Sequence, residues 1–299
     1  MGLKENIKKY WELYLMVIPG IIFFILFKYV PMLGITIAFK DYGIFTGIKD
    51  SPWVGLKHFK AFFEYPDFWR VFNNTMIIGF LKIVLSFPVP IVLSLLLNEV
   101  RNLKFKKTVQ TVFYIPHFFS WVIIAGLTFD LLSANGVVNS LLGMLGYEPI
   151  LFMQRTEYFR LIVVLTGIWR DAGWGTIVIL AAISGINPSV YEAAKIDGAG
   201  RFKQMLNITL PLLVPTLLVL LLLQIGRFLD IGFEHVYNLL TPMTQSVGDT
   251  IDTYVYRVGI LQGQFSATTA IGVFQSVVGL TLVLAFNKLS KKFSEGGII

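Results

Sequence analysis

The stretch INPSVYEAAKIDGAGRFKQMLNITLPLLVPT, residues 186–216, says more about this chain than any other segment. Asn187 followed by Pro188 favours a helix start, because asparagine caps free backbone amides and proline suits the first helical turn. Ser189 and Glu192 have capping-box spacing, which leaves a second start one turn later open. The sequence therefore predicts a helix here with two candidate starts.

The same stretch then bends and resumes. Residues 197–200 read Asp-Gly-Ala-Gly and interrupt the helix, since glycine adopts backbone angles that other residues avoid. A second helix is expected from near Arg201 towards Leu210, and Pro211 follows at the start of a long apolar run. The pattern predicts two short helices with a bend at Gly198.

Two interpretations of this segment follow from its residues. Ala193 and Ala194 give the first helix a small-residue face, which allows close approach by another protein. The alternative is an ordinary amphipathic connector on the membrane surface. Spacing alone does not separate the two.

The rest of the chain has the composition of a membrane protein. Of 299 residues, 55% are hydrophobic and only 14% are charged, with a mean hydropathy of +0.70. A soluble domain carries about 25% charged residues, and bilayer-spanning helices require long apolar runs such as those found here. We expect an all-α integral membrane protein with one transmembrane domain over residues 1–299. Its six spans are predicted at about 13–39, 74–97, 109–132, 159–186, 210–232 and 267–289.

The first apolar run has a rival interpretation as a cleaved signal peptide. Lys4, Lys8 and Lys9 precede it, as they would precede such a peptide. The run is too long for a signal-peptide core, however, and no small-residue cleavage site follows. We expect the first span to be retained.

Basic residues predict the orientation of the spans. Three lie before the first span, four between the second and third, three between the fourth and fifth, and three at the C-terminus. The opposite loops have nearly balanced charges. By the positive-inside rule, both termini and the loop 187–211 are expected in the cytoplasm. The net charge of +7 thus reflects membrane orientation, and nucleic acid is not expected as a partner.

The chain lacks the sequence motifs of several classes of enzyme. The chain has no G-x-x-x-x-G-K-[ST] phosphate loop, no H-E-x-x-H and no G-x-S-x-G, so no catalytic residue is predicted. Cysteine is absent and the three histidines have no paired spacing, which disfavours a metal site. An ion-coupled secondary transporter stays open as an alternative, although such proteins usually contain internal repeats, and none is visible here.

The segment 187–211 resembles the EAA loop of permeases of binding-protein-dependent ABC importers. The gaps between the motif positions are intact, and the residues on either side of the glycine are typical of the sugar-transporting branch. The matching positions are Glu192, Ala193, Ala194, Asp197, Gly198, Ala199, Ile208, Leu210 and Pro211. The resemblance implies a type I ABC importer permease in which this loop docks on an ATPase. Glu192 would then face the ATPase, and Gly198 would set the bend.

The likeness extends over most of the chain. Five further stretches are similar to the complex-oligosaccharide branch of the maltose-transporter-type group. They are KYWELYLMVIPG (9–20), IAFKDY (37–42), SPWVGLKHFKAFF (51–63), LLLNEVRNLKFKKTVQT (95–111) and IDTYVYRVGILQGQFSATTAIGVFQSVVG (251–279). This implies a second related permease, two ATPase copies and an extracellular lipid-anchored sugar-binding protein, in a bacterial cell membrane. ATP and Mg would bind the ATPase, with no cofactor in this chain. Another small polar solute is the alternative substrate.

Polar groups inside the spans are candidates for the substrate pathway, since they are costly to leave in lipid. The polar and aromatic candidates within the spans are Trp169, Arg170, Asp171, Trp174, Gln224, Arg227, Phe228, Asp230 and Gln275, and Tyr254 is a further candidate in the segment before the sixth span. The alternative is that they pair with one another and hold the helices together.

Spacing along a helix gives further expectations for the charged residues. Arg227 and Asp230 are expected to pair at i, i+3, whereas adjacent Arg170 and Asp171 are expected to find separate partners. Lys28 and Lys82 are expected to pair or to extend their ammonium groups to the membrane surface.

Overall fold

The chain folds as an all-helical protein in a computed structural model that describes residues 9–290. The predictions that involve Lys4, Lys8, Lys291 and Lys292 lie outside the described residues. Within them, the only extended pairing is an isolated antiparallel bridge between Lys40 and Trp53. The predicted all-α class is confirmed.

Six helices are long and apolar enough to cross a membrane, which confirms the predicted number of spans. In chain order, spans 1 to 6 are Trp11–Phe39, Pro66–Glu99, Trp121–Met144, Thr156–Ser184, Arg201–Gly226 and Phe265–Leu289. The shorter helical segments are Gly47–Asp50, Lys57–Glu64, Leu103–Tyr114, Ile115–Phe118, Phe152–Gln154, Pro188–Ile196, Phe233–Leu239, Gln245–Gly248, Ile251–Val255 and Tyr256–Leu261.

The predicted third span at 109–132 is wrong in its boundaries. The helix Leu103–Tyr114 leads into a short 3₁₀ turn that contains Pro116, and a new helix begins at Trp121. Ser120 caps that helix, because its hydroxyl accepts a hydrogen bond from the Ile123 amide at 3.3 Å. Hydropathy does not reveal this break, because apolar residues lie on both sides of it.

The predicted fifth span at 210–232 is displaced. The helix starts at Arg201, so the second short helix of the EAA-like loop continues into the span without a break. It ends at Gly226, where the backbone enters a turn. Residues 227–232 therefore lie outside the helix.

Three π-helical stretches share one cause. They are Ile25–Tyr29, Lys82–Ser86 and Met205–Thr209, and each lies just before a proline. A proline ring inside an α-helix clashes with the carbonyl four residues earlier, and that carbonyl belongs to the π-helical stretch in all three cases. The wider turn gives room for the ring without ending the helix.

Contacts divide the chain into two compact units. One unit contains the described residues up to Tyr65 together with Val255–Phe274. In it, the Ser266 hydroxyl donates to the Lys40 carbonyl at 2.6 Å, and the Lys57 ammonium donates to the Asp41 carboxylate at 2.6 Å. The hydrogen bond from Lys57 lowers the pKa of Asp41 below its ordinary value.

The other unit holds Pro66–Tyr254 and the chain from Gln275 onwards. Span 4 lies at its centre and buries Phe159, Val163 and Val164 completely. Gly173 of this span lies against the backbone carbonyl of Phe113, where a Cβ atom would clash. The missing side chain thus allows the helix Leu103–Tyr114 to contact span 4 closely.

Candidate functional site

Two regions of the second unit hold most of the residues that the sequence singled out. The first is the segment 187–211, called the coupling loop below. Its first helix, Pro188–Ile196, starts at Asn187, whose side-chain oxygen accepts a hydrogen bond from the Ser189 amide at 3.0 Å. Of the two starts that the sequence left open, the structure therefore has the earlier one.

The bend of the coupling loop is at Gly198, as predicted. Gly198 has a φ of +77°, in the left-handed region that side chains disfavour. The Ala199 amide donates to the Ala194 carbonyl at 2.8 Å, and the Gly198 amide donates to the Lys195 carbonyl at 3.1 Å. These bonds close the helix by satisfying carbonyls that its end would otherwise leave free.

Two side-chain hydrogen bonds stabilise the bent shape of the coupling loop. The Gln204 amide group donates to the Ala199 carbonyl at 2.7 Å and so ties the start of the second helix to the turn before it. The hydroxyls of Tyr191 and Thr209 share a hydrogen bond of 2.9 Å, although 18 residues separate them. Gln204 and Thr209 are both buried. The bond between Tyr191 and Thr209 therefore connects the two helices on either side of the bend.

The outer surface of the coupling loop combines charge with exposed apolar groups. Glu192, Ala193 and Asp197 are exposed, whereas Ala194, Ala199, Ile208 and Leu210 are half-buried. Ile196 and Phe202, on either side of the bend, are 87% and 70% exposed. Neither residue was predicted from the sequence, because the loop contains other apolar residues and exposure cannot be read from spacing alone.

The second region is a half-open cavity of about 360 Å³ that is lined by residues of spans 2, 4 and 5 and of the turn after span 5. Five of the predicted pathway residues line it, together with a lysine that was not among them. The polar and aromatic lining consists of Lys82, Ser86, Phe87, Asp171, Gln224, Arg227, Phe228 and Asp230. The cavity thus contains hydrogen-bonding groups, two cations, two carboxylates and two aromatic rings.

The other five predicted pathway residues lie elsewhere. Trp169 lines a separate and almost wholly apolar pocket with residues such as Leu127 and Leu165. The Gln275 amide group donates to the Leu229 carbonyl and to Asp252, both at 3.4 Å, and Tyr254 is buried. Arg170 and Trp174 belong to a cluster beside the cavity.

That cluster joins cations to aromatic rings. The Arg170 guanidinium lies 4.5 Å from the ring centroid of Trp121, and the Trp121 ring stacks on His235 with 3.6 Å between centroids. His117 stacks on Trp174 at 4.7 Å and lies 3.0 Å from the Asp171 carboxylate. No spacing in the sequence could have brought these residues together, because they come from four separate segments.

The expectations for these charged residues are met only in part. Arg170 and Asp171 each have a separate partner, Trp121 and His117, but the two adjacent side chains are also joined to each other at 3.1 Å. Among the described residues, no ion pair joins Arg227 and Asp230. The helix ends at Gly226, so the i, i+3 geometry of an α-helix does not apply to this pair.

In the part of the chain that the structure describes, no three His, Asp or Glu residues are arranged to hold a metal ion.

Residues 74–294 match the family described as binding-protein-dependent transport system inner membrane component. Both the coupling loop and the residues that line the cavity fall within the matched residues.

Individual proteins resemble the chain over nearly its full length. The polygalacturonan/rhamnogalacturonan transport system permease protein YteP of Bacillus subtilis is 54% identical over 287 residues, which cover 96% of this chain and 89% of that protein. A chain in the crystal structure of a bacterial alginate ABC transporter, in complex with an alginate pentasaccharide-bound periplasmic protein, superimposes with a TM-score of 0.91. It is 41% identical and the match covers 99% of both chains. A second structure, of a bacterial ABC transporter involved in the import of the acidic polysaccharide alginate, gives a TM-score of 0.90 at 42% identity, covering 98% of this chain and 99% of that one.

Proposed function

Because the chain belongs to the family of inner membrane components of binding-protein-dependent transport systems, we propose that it passes complex oligosaccharides through the membrane while its coupling loop receives movement from an ATPase. It is a non-catalytic permease subunit of an ABC importer in the cytoplasmic membrane. The observation that carries the proposal is the geometry of the coupling loop. A rigidly bent pair of helices presents an exposed surface and continues directly into span 5.

This geometry suits the transmission of force. A displacement of the surface formed by Glu192, Ile196 and Phe202 would be transmitted to span 5 through a continuous helix that starts at Arg201. Exposed apolar groups near a charge are typical of a surface that another protein covers. Docking on the ATPase is accordingly assigned to this surface, with the loop on the cytoplasmic side.

The partners follow from the same proposal. Two ATPase copies bind and hydrolyse ATP with Mg, a second related permease completes the pathway, and a lipid-anchored protein delivers the sugar from outside. The relatives named above transport polygalacturonan, rhamnogalacturonan or alginate. Fragments of such polysaccharides are the proposed substrates, and the mixed polar and aromatic lining of the cavity suits the hydroxyls and apolar faces of sugar rings.

The test replaces Glu192 by alanine in the assembled transporter. We expect ATPase co-purification and ATP-driven uptake of an oligogalacturonate to fall at least about tenfold, the effect of losing one charged hydrogen bond at an interface. Glu148→Ala is the matched control, because Glu148 is also exposed but lies in the loop before span 4. Normal assembly and normal uptake in the Glu192 variant would contradict the assignment.

A further inference from the structure

Lys82 is a cation in the middle of a span, and the proposed function does not yet give it a role. It lies sixteen residues after Pro66 and seventeen before Glu99 in span 2. At 1.5 Å per residue, roughly 24 Å of helix separates it from either end. That distance is too great for its ammonium to reach the membrane surface along the helix, so the position requires partners inside the protein.

The hydrogen-bond partners of Lys82 within the described residues are neutral groups. Its ammonium donates to the Ile231 carbonyl at 2.6 Å and lies 3.4 Å from Nδ1 of His235. The other ring nitrogen of His235 shares a hydrogen bond with Thr166 at 2.9 Å. None of the ion pairs among the described residues includes Lys82. An ammonium has three donors, so one donor is left for a further acceptor.

The carboxylates of the cavity lining form their hydrogen bonds and ion pairs with groups other than Lys82. Asp171 accepts from Arg170 at 3.1 Å and lies 3.0 Å from His117, and Asp230 accepts from the Gly232 amide at 3.2 Å. Lys82 thus lines the cavity without a carboxylate at ion-pair distance, and Arg227 does so as well. At ion-pair distance, neither cation has an anionic partner among the described residues.

A second unused polar group lies on the same helix. The hydroxyl of Ser86 is buried, lines the same cavity and has no hydrogen-bond partner among the described residues. A buried hydroxyl without a partner costs free energy, which a ligand that bonds to it would recover. An ammonium and a hydroxyl four residues apart match a sugar that carries both a carboxylate and hydroxyls.

We propose that Lys82, with Ser86 beside it, binds a carboxylate of an acidic oligosaccharide inside the cavity, and that this contact makes the permease selective for acidic over neutral sugars. The proposal rests on the proposed function, since it names a recognition residue on the same pathway. A charged hydrogen bond is stronger than a neutral one, and it strengthens further away from water. Lys82 is therefore assigned to specificity, with the aromatic and neutral polar lining left to bind the sugar rings.

The experiment compares two sugars in proteoliposomes that contain the assembled transporter, ATP and the binding protein. The probes are an oligogalacturonate and the same oligomer with its carboxylates reduced to alcohols. The variants are Lys82→Gln, which keeps an N–H donor but loses the charge, and Lys82→Arg, which keeps the charge. Lys28→Gln is the matched control, because Lys28 also lies within a span but does not line the cavity. Every variant uses the same binding protein, so the ratio of variant to wild-type uptake isolates the permease.

We expect Lys82→Gln to lower uptake of the acidic oligomer roughly tenfold or more, as the loss of one charged hydrogen bond implies, and uptake of the reduced oligomer less than twofold. Lys82→Arg should retain more of the acidic uptake than Lys82→Gln, and Lys28→Gln should change neither sugar. An equal loss for both sugars would assign Lys82 to structure and overturn the proposal, as would unchanged uptake of the acidic oligomer. A wild-type transporter that carries neither sugar would overturn the proposed substrate class and, with it, this inference.

Discussion

At the scale of single residues, backbone conformation separates two glycines of the coupling loop. Gly198 has a φ of +77°, whereas Gly200 has φ −67° and ψ 164°, which any residue adopts. A Cβ atom at either position would meet nothing within 4 Å. The two glycines therefore differ in backbone conformation and not in available space.

Gly198→Ala is expected to weaken coupling, and Gly200→Ala is the matched control. The left-handed region costs a residue with a side chain about 1–2 kcal/mol, so the alanine variant should shift the bend or populate other conformations. ATPase co-purification and uptake in the assembled transporter measure the effect. Equal behaviour of the two variants would show that the left-handed conformation of Gly198 is not needed for coupling.

At the scale of elements, the close contact between span 4 and the helix Leu103–Tyr114 depends on one missing side chain. Gly173 lies where a Cβ atom would overlap the Phe113 carbonyl. Backbone atoms cannot move aside as the end of a flexible side chain can. Substitution must therefore separate the two helices or distort one of them.

Gly173→Ala is expected to destabilise the protein by roughly 1–3 kcal/mol, as overpacking of a tightly packed interior usually does. The control is Gly126→Ala in span 3, because Gly126 is also helical but has nothing within 4 Å of an added Cβ atom. Thermal unfolding of the purified protein in detergent measures both variants. If Gly173→Ala unfolds at the same temperature as Gly126→Ala, the packing described here is not tight at this point.

Proline also acts at the scale of elements. Pro31, Pro88 and Pro211 each follow a π-helical stretch, so none of them ends its span. In span 2 the widened turn begins at Lys82, the residue assigned above to specificity. In span 5 it joins the coupling loop to the membrane helix without a break.

At the scale of the whole molecule, the chain has a polar cavity and an exposed bent loop but no phosphate-binding loop in its sequence. Energy must therefore come from a partner. We expect vesicles that contain this chain alone to accumulate no oligosaccharide, even with ATP and Mg inside. Addition of the partner permease, the ATPase and the binding protein should give uptake that requires ATP hydrolysis. Sustained uphill uptake by the isolated chain would contradict this and favour an ion-coupled transporter.

The sequence was a good guide wherever local chemistry decides the structure. The six apolar runs, the cap at Asn187 and the bend at Gly198 each depend on residues that are close together in the chain. The family follows from the same kind of information, because the EAA-like spacing lies within one loop. Hydropathy did not give the boundaries of spans 3 and 5. Before span 3, a turn rich in apolar residues is indistinguishable from a helix by that measure, and span 5 begins with a polar stretch that hydropathy does not assign to the membrane helix.

The sequence by itself determined that this is a six-span membrane protein with a bent loop of two helices, because apolar length, capping residues and glycine act over a few residues. Only the tertiary structure decided which polar residues share the cavity. It excluded Trp169 and Gln275 from the lining and brought in Lys82. The physical reason is that a polar group inside a span must find a partner, and that partner lies on another segment whose position no spacing along the chain reveals.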